Sequence, residues 1–161
     1  MIFSHGADPN AECVVDTTPL SVAMSQAPFN VIELLFDLGG SIDHGQLLHH
    51  AVWREADDHL QVLAYLFDKG APIDNVMNQD REDSYALQIT SALGTPLHSV
   101  AAPGKLDVVQ WLLDRGAHPL IKNSIGRTPL ETAEARGHQA IAEYLRPITA
   151  AAIEPAEQFT E

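Results

Sequence analysis

The sequence predicts an all-α solenoid of stacked helix pairs, and three observations predict it. The phrase Thr18-Pro19-Leu20 returns as Thr95-Pro96-Leu97 and as Thr128-Pro129-Leu130. A glycine followed by a small residue stands at Gly6-Ala7, Gly39-Gly40, Gly70-Ala71 and Gly116-Ala117. Gly6 to Gly39 and Thr95 to Thr128 each span 33 residues, a period of repeated supersecondary units. The stretches 31–38, 60–68 and 106–114 carry apolar residues at helical spacing just before these glycines.

Each element follows from its residues. The threonine of each phrase suits a helix N-cap, and the proline after it occupies the first helical position, where no N–H is needed. Thr128 and Glu131 have the spacing of a capping box. A short first helix follows each phrase, then a break, then a second, strongly apolar helix. Gly39, Gly70 and Gly116 stand where a left-handed C-terminal cap belongs. Helix pairs are expected at 19–38, 47–69, 96–115 and 129–146. Such a pair cannot bury its apolar face alone, so its neighbour must cover it. Leu112 and Trp111 of the third pair are expected in the core between units.

At this point the chain resembles the ankyrin repeat family. Residues 94–119, GTPLHSVAAPGKLDVVQWLLDRGAHP, follow the family pattern nearly throughout, and 126–145 resemble a terminal repeat. Residues 17–43 are a fair repeat, with Ser21 where histidine is usual. The second unit diverges most, with Gln46-Leu47-Leu48 in place of Thr-Pro-Leu. The resemblance covers roughly residues 2–146. It implies a curved solenoid whose hairpin fingers and first helices line a concave face that grips a protein partner. It also implies that His49, His98 and His138 are structural.

The chain divides accordingly. Residues 1–10 read as the remnant of an incomplete N-terminal repeat, 11–44 as the first full repeat and 45–76 as the second. An insertion fills 77–93, a third repeat 94–123, a C-terminal capping repeat 124–147 and a mobile tail 148–161. Arg146-Pro147 is expected to end the last helix. The missing first part predicts either a piece of a longer array or a frayed end. Either way it leaves Val22, Leu34 or Leu35 exposed and open to self-association.

Composition sets limits. The 161 residues carry 22 acidic and 9 basic side chains, a net charge of −13. That opposes nucleic acid and anionic membranes, and it would attract a protein partner with a basic surface. Keeping the chain soluble is the alternative use of that charge. The single cysteine, Cys13, cannot form an internal disulfide, which fits a reducing interior, cytoplasmic or nuclear. No signal peptide or membrane span is read in the sequence.

Catalytic motifs are missing: no Gly-x-Ser-x-Gly, no phosphate-binding glycine loop and no His-Glu-x-x-His. The eight histidines show no metal-ligand spacing, so neither metal nor cofactor is expected. The reading is therefore a non-catalytic interaction module. Its alternative is a small-molecule or enzymatic pocket roofed by the 75–93 insertion, holding His50, Trp53, Tyr85 and Glu82 or Asp83.

Two irregular connections single out the site. A standard connection from cap glycine to capping threonine takes 12 positions, as from Gly6 to Thr18 and from Gly116 to Thr128. Gly39 to Gln46 takes 7, a shortened finger, whereas Gly70 to Thr95 takes 25, an insertion. That insertion is either a loop packed over the concave side or a tolerated surface extension. By the resemblance, the positions facing the concavity are Ser25-Gln26, Trp53-Arg54, Ala102-Pro103 and Ala135-Arg136. Glu12, Val14, Val15 and Thr17 stand on one finger, and Lys122, Ser124, Ile125 and Arg127 on another. The partner-binding set is therefore Trp53, Arg54, Ser25, Gln26, His50, Tyr85, Arg136 and Arg127. Trp53-Arg54 leads it, because tryptophan and arginine are enriched at interface hot spots. The competing role for Trp53 is packing beneath the shortened finger.

Overall fold

The computed structural model describes residues 7–13, 16–79, 86 and 92–153. Eight helices with described bounds form four pairs: α1 (Pro19–Gln26) with α2 (Phe29–Asp37), α3 (Leu47–Ala51) with α4 (His59–Asp68), α5 (Pro96–Ala101) with α6 (Leu106–Asp114), and α7 (Pro129–Arg136) with α8 (Gln139–Ile153). Among the described residues there is no strand. The first helices pack in a row, α1 on α3, α3 on α5 and α5 on α7.

The caps are the ones the phrases call for. Thr18 accepts from the Ser21 N–H, and the Ser21 hydroxyl accepts from the Thr18 N–H, at 3.1 and 2.7 Å. Glu131 accepts from the Thr128 N–H at 2.7 Å, closing the predicted box. At Thr95 the third-position partner is His98, whose Nδ1 accepts from the Thr95 N–H at 3.1 Å. This puts the imidazole against Gly94, where a Cβ would come within 2.6 Å of the ring; only glycine fits. Gly39, Gly70 and Gly116 take φ of 97°, 89° and 90°, as left-handed caps require.

The core is one cluster running through all four pairs. Leu20, Met24 and Ile32 enter it from the first, Val62, Leu63 and Leu66 from the second, Leu97 and Leu112 from the third, and Ile141 and Leu145 from the fourth. Trp111 is buried and meets the Phe67 ring edge-on at 6.0 Å, with the Arg115 guanidinium stacked over its other face at 3.9 Å.

Polar side chains cross each junction between pairs. His49 Nε2 donates to Asn75 O at 3.0 Å, and its Nδ1 lies 3.4 Å from the Ser99 hydroxyl. His98 Nε2 donates to Arg127 O at 2.9 Å, and His138 Nε2 to Ala102 O at 2.7 Å. Arg54 donates twice to Asp58 and once to Met24 O, the latter at 3.2 Å. Lys105 then donates to Val52 O and Arg54 O at 3.2 and 2.9 Å. The bonds to Met24, Val52, Arg54 and Ala102 satisfy carbonyls at or just past the ends of α1, α3 and α5, which have no partner within their helices.

The irregular connections have simple closures. The shortened finger is bridged by Asp16, which accepts from Gly45 N–H and the Gln46 amide, and by a 2.8 Å contact between His44 and Glu12. The long connection is pinched at its base by Met77 N–H donating to Gly94 O at 2.9 Å.

Two expectations change. The last helix does not end at Arg146; α8 continues to Ile153 with Pro147 inside it. Pro147 faces solvent, while Ile141, Leu145 and Thr149 form one buried stripe across it, and Ala150–Ala152 are the strongest helix formers. Leu35, expected to be exposed, is buried with Ile32 on the inward side of α2; Val22 and Leu34 are exposed, with Leu38 beside them.

Three outcomes follow from this packing. Leu112 is fully buried, so Leu112→Ala should cost about 2–5 kcal/mol in a denaturant melt; a loss under about 1 kcal/mol would remove it from the core. Arg54→Ala should cost about 1–3 kcal/mol, because it strips the Met24 carbonyl and Asp58 of their donor. Burial lowers the His49 pKa from 6.5 to about 4. Between those values the unfolded chain binds more protons, so stability falls as pH falls from 6.5 toward 4, by about 3 kcal/mol in all. His98 and His50, also lowered by burial, act in the same direction. Melts of wild type and His49→Gln between pH 7 and 4.5 check this, and the variant should show the shallower slope.

Candidate functional site

The site lies where the third and fourth first helices and their fingers meet the end of α3. Here the fold leaves a groove of about 440 Å³. One wall carries Trp53, just past α3, and the base of the long connection, Met77 and Leu93. The floor includes Ser99, Ala102 and Pro103 around the end of α5. The far wall carries Ile125 and Arg127 from a finger and Thr132 and Arg136 from α7.

Local bonds hold these walls. The finger turns tightly because Asn123 N–H donates to Arg127 O at 2.8 Å and the Asn123 side chain accepts from Arg127 N–H at 2.9 Å. Its backbone is tied to the long connection by Ser124 N–H donating to Leu93 O at 2.7 Å. Trp53 is 42 % exposed, and its ring meets His50 edge-on at 5.6 Å. Burial lowers the His50 pKa, partly offset by Asp16, and a neutral ring stands behind the indole at pH 7.

The eight sequence-predicted residues do not all gather. Trp53, Arg127 and Arg136 line the groove, as do Ala102 and Pro103. His50 supports Trp53 without lining it. Ser25 and Gln26 end α1, two units away; the Ser25 hydroxyl donates to Val22 O at 3.0 Å and Gln26 is exposed. Tyr85 lies outside the described residues, as do Glu82, Asp83, Val14 and Val15.

Arg54 is a correction. Expected beside Trp53 on open surface, it is 3 % exposed and points into the junction with α1. Its bidentate partner is Asp58 of the same chain, whose carboxyl the guanidinium holds below the usual carboxylate range. The i,i+4 spacing of Arg54 and Asp58 was the available sign of this pairing.

Sequence reasoning missed the near wall. Met77 and Leu93 reach the groove only because the long connection is closed at its base, a bond with no signature in the residue pattern. His98 also borders the groove, but Nδ1 and Nε2 are both engaged, by Thr95 and Arg127 O. Among the described residues, no group of three or more His, Cys, Asp or Glu could hold a metal ion. Among them too, no helix is long and apolar enough to cross a membrane.

Comparison with known proteins agrees with this architecture. Residues 79–133 match the family described as ankyrin repeats in many copies. The E3 ubiquitin-protein ligase hecd-1 of Caenorhabditis elegans is 31% identical over 112 residues, 68% of this chain and 4% of that protein. The mitochondrial disaggregase of Bos taurus is 29% identical over 136 residues, 82% of this chain and 18% of that protein. The human cyclin-dependent kinase 4 inhibitor B is 39% identical over 59 residues, 37% of this chain and 43% of that protein. The chain thus spans a small part of the first two of these relatives and less than half of the third. With four helix pairs in register, the phrase that caps three of them and this family match, the chain belongs to the ankyrin repeat family.

Proposed function

We propose that this chain is a non-catalytic interaction module that seats a segment of a protein partner in the groove between Trp53 and the α7 finger. Ankyrin repeats generally mediate protein–protein interaction. The human relative is named for inhibiting cyclin-dependent kinase 4, itself a protein, which supports a protein as the partner class here. The single observation that carries the reading is Trp53: a large side chain, 42 % exposed, on the rim of a groove whose floor and far wall are set by backbone hydrogen bonds.

The physical case rests on what an exposed indole does. It brings much apolar area to an interface at low rotamer cost. Its setting beside a half-buried, neutral His50 restricts it further, so little ordering remains to be done on binding. Catalysis is disfavoured by the state of His98, whose two ring nitrogens are both engaged within the fold. Cys13 is the one cysteine of the sequence and is exposed, which supports an intracellular, reducing setting.

Affinity purification from the source cell with cross-linking would identify the partner, and cross-links should fall on the α7 finger. Trp53→Ala should then weaken binding by about 2 kcal/mol or more, as hot-spot truncations do. The melt of that variant should stay close to wild type. An unchanged isotherm with a lowered melting midpoint would assign Trp53 to packing and overturn the reading.

A further inference from the structure

We propose, building on that groove, that the segment it receives is acidic: a short stretch of the partner in which carboxylate side chains flank a bulky apolar residue. The inference runs against the charge of the whole chain, −13, which by itself would attract a basic surface. It follows from where the few basic groups are and which of them are committed.

Most of the described bases are occupied. Arg54 is bound to Asp58 and Met24 O, and Lys105 to Val52 O and Arg54 O. Arg146 pairs with Glu134 at 2.8 Å. Lys69 lies over the Phe36 and Tyr65 rings, and Arg115 over Trp111. Arg127 and Arg136 are exposed, and among the described residues neither guanidinium donates to any group. Both stand on the far wall of the groove. No aspartate or glutamate is among the described residues that line it.

The neighbouring acids do not cancel this. Glu131 feels Lys122 and Arg127, but its carboxylate accepts from the Thr128 N–H at 2.7 Å as part of the cap. Glu134 is held by Arg146. Arg127 is further fixed through its own backbone, since its carbonyl accepts from His98 and from Asn123 N–H. A guanidinium on a fixed backbone loses less on meeting a carboxylate, and it can do so with two parallel N–H bonds. Trp53 and Leu93 across the groove, with Ile125 beside the arginine, offer apolar surface for the residue between the acids. The long-range repulsion from the rest of the chain is screened within about 8 Å at physiological salt, so the groove's own charges decide the fit.

The test pans a random dodecapeptide phage library against the full chain and against two variants, Trp53→Ala and the double reversal Arg127→Glu/Arg136→Glu. Wild type should enrich peptides with two or more Asp or Glu beside an aromatic or branched aliphatic residue. Fluorescence anisotropy with the leading peptide should show binding weakened about tenfold or more by the double reversal, as expected for charge reversal at an interface. Both arginines are exposed, so melts of that variant should match wild type; if they do not, Arg127→Gln/Arg136→Gln replaces it. Enriched peptides that need Trp53 yet are neutral or basic would overturn the acidic segment and leave the groove reading standing. Enriched acidic peptides indifferent to both arginine variants would do the same. A dT12 oligonucleotide that competes as well as the peptide would overturn it in favour of simple polyanion binding. Absence of any Trp53-dependent peptide would overturn both readings together.

Discussion

Everything in this molecule depends on one constraint: a two-helix unit has an apolar face it cannot bury by itself. Leu63 and Leu66 of α4 are buried only because units lie on both sides of them. Leucines alone would tolerate several offsets between neighbouring pairs, because apolar contact is non-directional. The polar crossings remove that freedom. A histidine aimed at one carbonyl, such as His138 at Ala102 O or His98 at Arg127 O, is satisfied at a single register. An unmet donor in such a place would cost more than the bond gains, so the crossings select one stacking more than they stabilise it. The groove inherits that precision. Arg127 stands where it does because His98, from the preceding unit, holds its carbonyl.

Much of this was legible in the sequence, for a local reason. A capping threonine, a proline at the first helical position and a glycine at the end act within one turn of the residues that display them. Their repetition therefore gave four helix pairs without any knowledge of tertiary contacts, and the structure has those pairs. The site was legible only in part. Trp53, Arg127 and Arg136 were found through their register in the repeat. Arg54 was misjudged because register says which way a position faces in a regular unit, and Arg54 lies past the C-cap of α3, a helix of only 5 residues, where Asp58 and the Met24 carbonyl draw its side chain inward. Pro147 misled for a similar reason. A proline disfavours helix locally, but three buried side chains spaced four apart bind α8 to the core on both sides of it.

The long connection illustrates how a repeat array absorbs an irregularity. Its two ends meet through Met77 N–H and Gly94 O, so the units on either side see a closed base whatever the loop above contains. Extending a loop costs little once its ends are joined, about 0.6 kcal/mol per doubling of length. The junction it spans is bridged by polar groups like the others. His49 reaches Asn75 O, and Lys105 reaches back to two carbonyls at the end of α3.

The distribution of basic side chains carries a more general point. With 9 bases against 22 acids, the chain uses several of its cations on its own backbone. Arg54, Lys105 and Arg115 each donate to a carbonyl that its helix leaves without a partner or shares near its end. Net charge describes how such a molecule looks from many ångströms away, where only the sum survives. It says little about a groove only a few side chains across. There the deciding quantity is which charges remain after the fold has taken what it needs, and on the far wall of this groove the two that remain are both positive.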